Sequence, residues 1–243
     1  VNELFGTSEY RSQVAQIEAD AGDLPDGLNR YEYASALWSF DKIRTAGGLG
    51  IFCHPYWICM NDESRQSYYI NEALTTHLLD TQPFDALELL GGYHLNEAEA
   101  NILQVARYQD ERAKGRQIPI VGVSDAHGCD NGSLFGWFYT IVLAPSPDLA
   151  DLIGGIKGLL SVAVEALPGE VVRVYGPFRL VKYALFLLRE VFPAHDELCR
   201  EESAAMFDWI GESGPEKQQQ AGARLQSFKG RTTARLARDL GRG

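Results

Sequence analysis

The chain has 243 residues, 45% of them apolar, enough to bury one large domain or one domain with an appendage. Its net charge of −11 argues against general binding to nucleic acid or an anionic membrane, since both select for basic surfaces. Cys53, Cys59, Cys129 and Cys199 show no C-x-x-C spacing, no apolar run reaches the roughly 18 residues of a membrane span, and no signal peptide opens the chain. A disulfide framework is therefore not expected, and a reducing, cytoplasmic setting is the default.

Residues 1–30 form an amino-terminal segment with scattered apolar residues, Leu4, Phe5, Val14, Ile17 and Leu24. From Tyr31 the pattern alternates. Tyr33, Leu37, Phe40 and Ile43 recur at helical spacing, Gly47 and Gly48 can stop that helix, and Leu49 to Cys53 is a short buried strand ending at His54 and Pro55. A second helix covers Tyr69 to Leu79, with His77 on its apolar face, and Phe84 to Leu90 is the next strand, ended by Gly91 and Gly92. Asn96 and Glu99 make a capping-box pattern for a third helix that Gly115 closes before a strand over Ile118 to Val123. Strands this apolar, joined by helices, favour a parallel sheet or barrel.

The order continues with a strand over Phe138 to Leu143, a helix over Pro147 to Lys157 and a strand over Leu159 to Leu167, closing a β/α domain over 31–167. Val171 to Tyr175 can add a strand. Region 168–213 is otherwise helical in composition, over Pro177 to Phe192 and Ala194 to Ile210. Residues 214–243 carry seven Lys or Arg against two acids, which leaves about −16 on the rest, and form a basic tail that is mobile or a peripheral helix.

Candidate chemistry gathers at strand ends, where parallel folds place their sites. In VGVSDAHG, Asp125 and His127 are separated by one residue; on extended backbone both side chains face the same way, as two ligands of one metal ion require. His54 ends an earlier strand. Imidazole and carboxylate suit zinc, manganese or iron, although His54 could equally cap a turn and Asp125 could satisfy loop amides. Glu88 interrupts an apolar strand, so it either needs a partner or faces water. His94, just beyond, is a candidate proton donor or a surface histidine. Arg173 and Arg179 flank a turn where a salt-bridged surface is the simpler expectation. No nucleophile elbow, Walker loop or dinucleotide fingerprint is present.

In order and spacing, GGLGIFCHPYW, FDALELLGGYH and IPIVGVSDAHG resemble the later motifs of the PHP superfamily, the polymerase and histidinol phosphatase family of metal-dependent phosphoesterases. PDLADLIGGIKG is similar to the helix that follows the family's last ligand. The resemblance implies a distorted (β/α)7 TIM-like barrel whose strand ends hold zinc, manganese or iron ions, with His54, Asp125 and His127 as metal ligands and Glu88 and His94 as catalytic candidates. It implies a small-molecule or nucleotide phosphate ester as substrate. The family's amino-terminal H-x-H pair is missing from these residues, so the expected barrel is incomplete on that side and hydrolysis by this chain alone is expected to be weak or absent. The Val start suggests an excerpted chain; a degenerate, non-catalytic binding module on the same fold is the alternative, and an amidohydrolase-like enzyme shares the ligand types. A homo-oligomer or a missing segment could cover the open side.

Overall fold

The computed structural model of the chain describes residues 3–58, 68–92, 98–128, 134–211 and 214–241. Thr7 opens helix α1 (Ser8–Asp20) by accepting a hydrogen bond from the Tyr10 N–H, and Asn29 opens α2 (Arg30–Thr45) by accepting from the N–H groups of Tyr31 and Glu32. Tyr10, Val14, Ala34 and Trp38 join the two helices in a small cluster that Leu4 and Ile17 complete. Leu4, Val14 and Ile17 of the amino-terminal segment thus pack against α2.

Gly47, at φ +77°, lets the chain leave α2. Strand β1 (Ile51–Phe52), helix α3 (Glu72–Thr81), strand β2 (Ala86–Leu90), helix α4 (Ala98–Ala113) and strand β3 (Ile120–Gly122) follow. The expected cap of α4 at Asn96 lies outside the described residues. The three strands pair in parallel and in chain order, with Phe52 beside Leu87 and Leu87 beside Ile120. Every residue of β2 is buried, as a central parallel strand covered on both faces requires. Among the described residues no strand pairs with the outer side of β1.

The amino-terminal end of this sheet is tied together by Asp85. Its carboxylate accepts from the Gly50 N–H at 2.9 Å and pairs with Lys157 at 2.8 Å. Burial would raise its pKa, but the Lys157 ammonium and the Gly50 N–H outweigh that and hold it below the usual carboxylate range.

Strands β4 (Phe138–Val142), β5 (Ser161–Glu165) and β6 (Arg173–Tyr175) form a second sheet, and it is antiparallel. Here the expectation of parallel strands fails. Helix α5 (Leu149–Lys157) lies between β4 and β5, yet the Leu143 N–H bonds to the Leu160 carbonyl at 2.8 Å, so the ladder continues to the brink of the connection. A crossover helix carries the chain back to the starting end of a sheet; α5 instead forms the tip of a hairpin. The architecture is mixed α/β with two small sheets, and the expected barrel is not closed among the described residues.

Side chains of the second sheet satisfy the outer backbone groups of β3. Thr140 Oγ1 accepts from the Gly122 N–H at 2.9 Å and donates to the Gly122 carbonyl at 2.8 Å, while Ser161 Oγ donates to the Ile120 carbonyl at 2.7 Å. Strand β3 is short, but it is fixed from both sides.

The chain forms two compact units, Val1–Leu180 and Val181–Gly243. Strand β6, which pairs with β5, lies in the first of these units. Helix α6 (Phe178–Phe186) runs through a π-helical turn (Leu187–Val191) into α7 (Phe192–Gly211). The basic segment from 214 forms two helices, α8 (Pro215–Gln226) and α9 (Arg231–Asp239). Arg224 of α8 pairs with Asp208 of α7 at 2.6 Å, and Ala205, Ala221 and Phe228 are buried in this unit. No described helix is long and apolar enough to cross a membrane.

Candidate metal centre

Three of the five residues singled out in the sequence meet at the carboxyl end of the parallel sheet. The register that sets Phe52 beside Leu87 brings the next residue pair, Cys53 and Glu88, level with each other, and the chain then turns at His54. His54 Nδ1 lies 3.0 Å from Glu88 Oε1, and the His54 backbone N–H donates to the same oxygen at 3.2 Å. On the far side of the ring, His54 Nε2 stands 3.8 Å from Asp125 Oδ2. The hydrogen bond to Glu88 raises the His54 pKa, burial opposes it, and the charges of Glu88 and Asp125 add to the rise.

Glu88 is completely buried. The sequence left open whether it faced water or a partner; it has a partner, the imidazole and amide of His54. Its second oxygen, Oε2, has no hydrogen-bond partner among the described residues, a state it shares only with Thr75 Oγ1 among described buried side-chain atoms. Such an oxygen forfeits its hydration with nothing in return, and a cation is one group that would repair the loss. Beside it, burial and the Glu88 carboxylate push the Cys53 thiol far above its usual range, which keeps it protonated.

Local backbone geometry is unusual at both ends of the pair. His54 (φ 55°) and Asp125 (φ 52°) occupy the left-handed region, which costs a non-glycine residue of order 1 kcal/mol. Gly92 explains how the loops come together: a Cβ on it would overlap the Ser124 carbonyl oxygen and the Asp125 Cβ. The glycines after β2 therefore do more than end a strand. Gly92 lets the Ser124–Asp125 backbone lie against the end of β2.

A register shift between Glu88 and Leu90 marks a bulge in β2, the kind of irregularity that re-aims a side chain beside a site. Two amides on α4 absorb its consequences. Gln104 Nε2 donates to the carbonyls of Glu88 at 3.1 Å and Leu89 at 3.2 Å, while the Asn101 side chain accepts from the Gly91 N–H at 2.9 Å and donates to its carbonyl at 3.3 Å. These positioning residues were missed in the sequence. Their signal was available: two amides a helical step apart on the buried face of an amphipathic helix need partners.

His127 is exposed two residues beyond Asp125, and the contacts just described are made by His54, Glu88 and Asp125. His94 lies outside the described residues, as do Cys59 and Cys129. His77 is half-buried, edge to face with Tyr33 at 4.9 Å. His195 sits on α7 with its Nδ1 3.6 Å from the Cys199 sulfur. Arg173 is salt-bridged to Glu165 and Glu170, both at 2.9 Å.

Family models, curated proteins and solved structures give no match to this chain. The chemistry of the cluster must therefore be argued from its donors. With Nδ1 turned to Glu88, Nε2 is the His54 ring nitrogen that faces Asp125. The 3.8 Å from Nε2 to Asp125 Oδ2 is within the span that one ion bridges at metal–ligand distances of roughly 2.0–2.2 Å. A carboxylate behind a ligating histidine fixes its tautomer and raises its basicity, the usual support for such a ligand. Among the described residues no three candidate ligands already stand grouped, so the donors present amount to a facing pair with Glu88 behind it.

Proposed function

We propose that the chain carries part of the metal centre of a PHP-type metal-dependent hydrolase, a phosphoesterase, and that its parallel strands belong to the later portion of a distorted (β/α)7 barrel. The observation that carries the reading is the buried His54–Glu88 pair, facing Asp125, with one Glu88 oxygen unpaired. A divalent ion, zinc, manganese or iron, would be held by His54 Nε2 and the Asp125 carboxylate, with His127 as the further ligand expected from two residues along the same loop. Bound there, it supplies Lewis acidity toward a phosphoryl oxygen.

The chain's own groups have separate tasks in this scheme. Glu88 accepts the Nδ1 proton of His54 and so keeps Nε2 directed outward; this is a positioning role in place of the catalytic one first considered. Asp125, about half exposed, presents its carboxylate where substrate can approach. Gly92 fixes the distance between the two loops. A phosphate ester brings its own negative charge to this acidic cluster, so a cation is required to hold it.

Metal content tests the reading. After loading with manganese, iron or zinc and removal of excess, elemental analysis should find near-stoichiometric metal in the wild type and little in His54→Ala or Asp125→Ala. No retained metal would return the chain to the alternative, a non-catalytic binding module. Where metal is retained, a panel of phosphate esters against cyclic amides separates the phosphoesterase from an amidohydrolase-like enzyme.

A further inference from the structure

Beside the His54 turn stands a feature that the metal centre does not use. Trp57 and Tyr69 are both exposed, 43% and 58%, although their rings stack on each other at 4.7 Å with 25° between planes. Large aromatic faces normally gain by burial, and here the neighbouring Tyr56 does turn inward, to 7% exposure. The outward pair is held by backbone. The Trp57 N–H donates to the His54 carbonyl at 3.2 Å, the Tyr69 N–H donates to the Trp57 carbonyl at 2.9 Å, and Ile58 and Tyr68 form an antiparallel bridge. The Trp57 ring lies 5.8 Å from the His54 ring. A solvent-facing aromatic wall thus adjoins His54.

We propose that Trp57 and Tyr69 form a stacking platform for the planar ring of the substrate, which is an aryl or nucleoside phosphate. The proposal rests on the reading of His54 and Asp125 as ligands, since they would hold the phosphate while the ring lies against the platform. Ring stacking on an aromatic side chain is tolerant of ring identity but discriminates strongly against esters that have no ring. Because the two aromatics are already packed on each other, little side-chain freedom is lost when a third ring joins.

Binding of AMP, phenyl phosphate, ribose 5-phosphate and glycerol phosphate to the metal-loaded full chain, followed by calorimetry, tests this. AMP and phenyl phosphate are expected to bind on the order of 10-fold tighter than the two ring-free esters. Trp57→Ala should erase that preference and Trp57→Phe should keep most of it, with metal content and inorganic phosphate affinity unchanged in both. A preference for AMP alone marks a nucleoside phosphate as the ligand; preference for both leaves the ring itself as the determinant. Equal binding of all four esters, or a preference that survives Trp57→Ala, overturns the platform. Should the chain retain no metal, adenosine decides in its place. Adenosine binding lost in Trp57→Ala upholds the platform while the metal reading fails, and the absence of adenosine binding overturns both.

Discussion

Glu111 and Glu88 are both completely buried carboxylates on elements of the same unit, and they are treated in opposite ways. Glu111, on α4, is surrounded by cations: Arg107 at 2.8 Å, Lys114 at 3.1 Å and Arg116 in close contact. Each of its oxygens is answered. Glu88, on the neighbouring β2, pairs with the His54 imidazole and lies beside the Cys53 thiol, and among the described residues one of its oxygens has no hydrogen-bond partner. A chain able to neutralise one buried carboxylate so fully has left the other half-satisfied at the mouth of a sheet. Buried charges are tolerated when paired, and removal of one partner is what exposes the cost. The contrast teaches that Glu111 serves the fold, whereas Glu88 carries a deficit that binding could correct.

Four experiments break or sharpen this contrast. The largest effect is expected at Glu111→Gln, which strands three cations and should destabilise the protein by about 3 kcal/mol in urea unfolding. If Glu88 were the same kind of residue, Glu88→Gln would cost as much. We expect instead a change in metal-free stability of less than about 1 kcal/mol, with metal affinity falling ten- to about a hundredfold in competition with a chelator. Gly92→Ala is next: the new methyl group must displace the Ser124–Asp125 backbone, for about 1–2 kcal/mol of stability and a measurable loss of metal.

The smallest effects are in pH dependence, and they have opposite signs. Asp85 has a lowered folded pKa, so its contribution is present above its unfolded value near ~3.9 and lost as pH falls through the folded one. His54 has a raised folded pKa, so in the metal-free protein its pairing with Glu88 contributes fully below about pH 6.5 and fades as pH rises through the folded value. Urea unfolding from pH 3 to 9 should show Asp85→Asn reducing the acid-side slope and leaving the slope above neutrality, and Glu88→Gln reducing the slope above neutrality and leaving the acid side.

Much of this was legible in the sequence, and the reasons are local. Tyr33, Leu37 and Phe40 gave α2, the apolar run before SDAHG gave β3, and the glycines marked where elements stop. The histidine and aspartate at strand ends were visible because they follow apolar runs directly. What could not be read depends on register and on distant partners. Glu88 meets His54 across a separation that only the parallel pairing of Phe52 with Leu87 brings into line. The antiparallel second sheet was hidden because α5 has the composition of a crossover helix, and it is the antiparallel pairing of β4 with β5, continued by the Leu143–Leu160 hydrogen bond, that reveals it as a hairpin tip. Gly92 looked like punctuation, since nothing local states which backbone will lie against it.

The left-handed backbone at Asp125 has a consequence for how this fold could drift. Any lineage released from the need for its site would gain by placing glycine there, because glycine adopts that conformation without the steric cost an aspartate bears. Asp125→Gly should therefore raise the thermal midpoint of the metal-free protein while abolishing metal retention. Aspartate at that position carries a conformational cost that glycine would not.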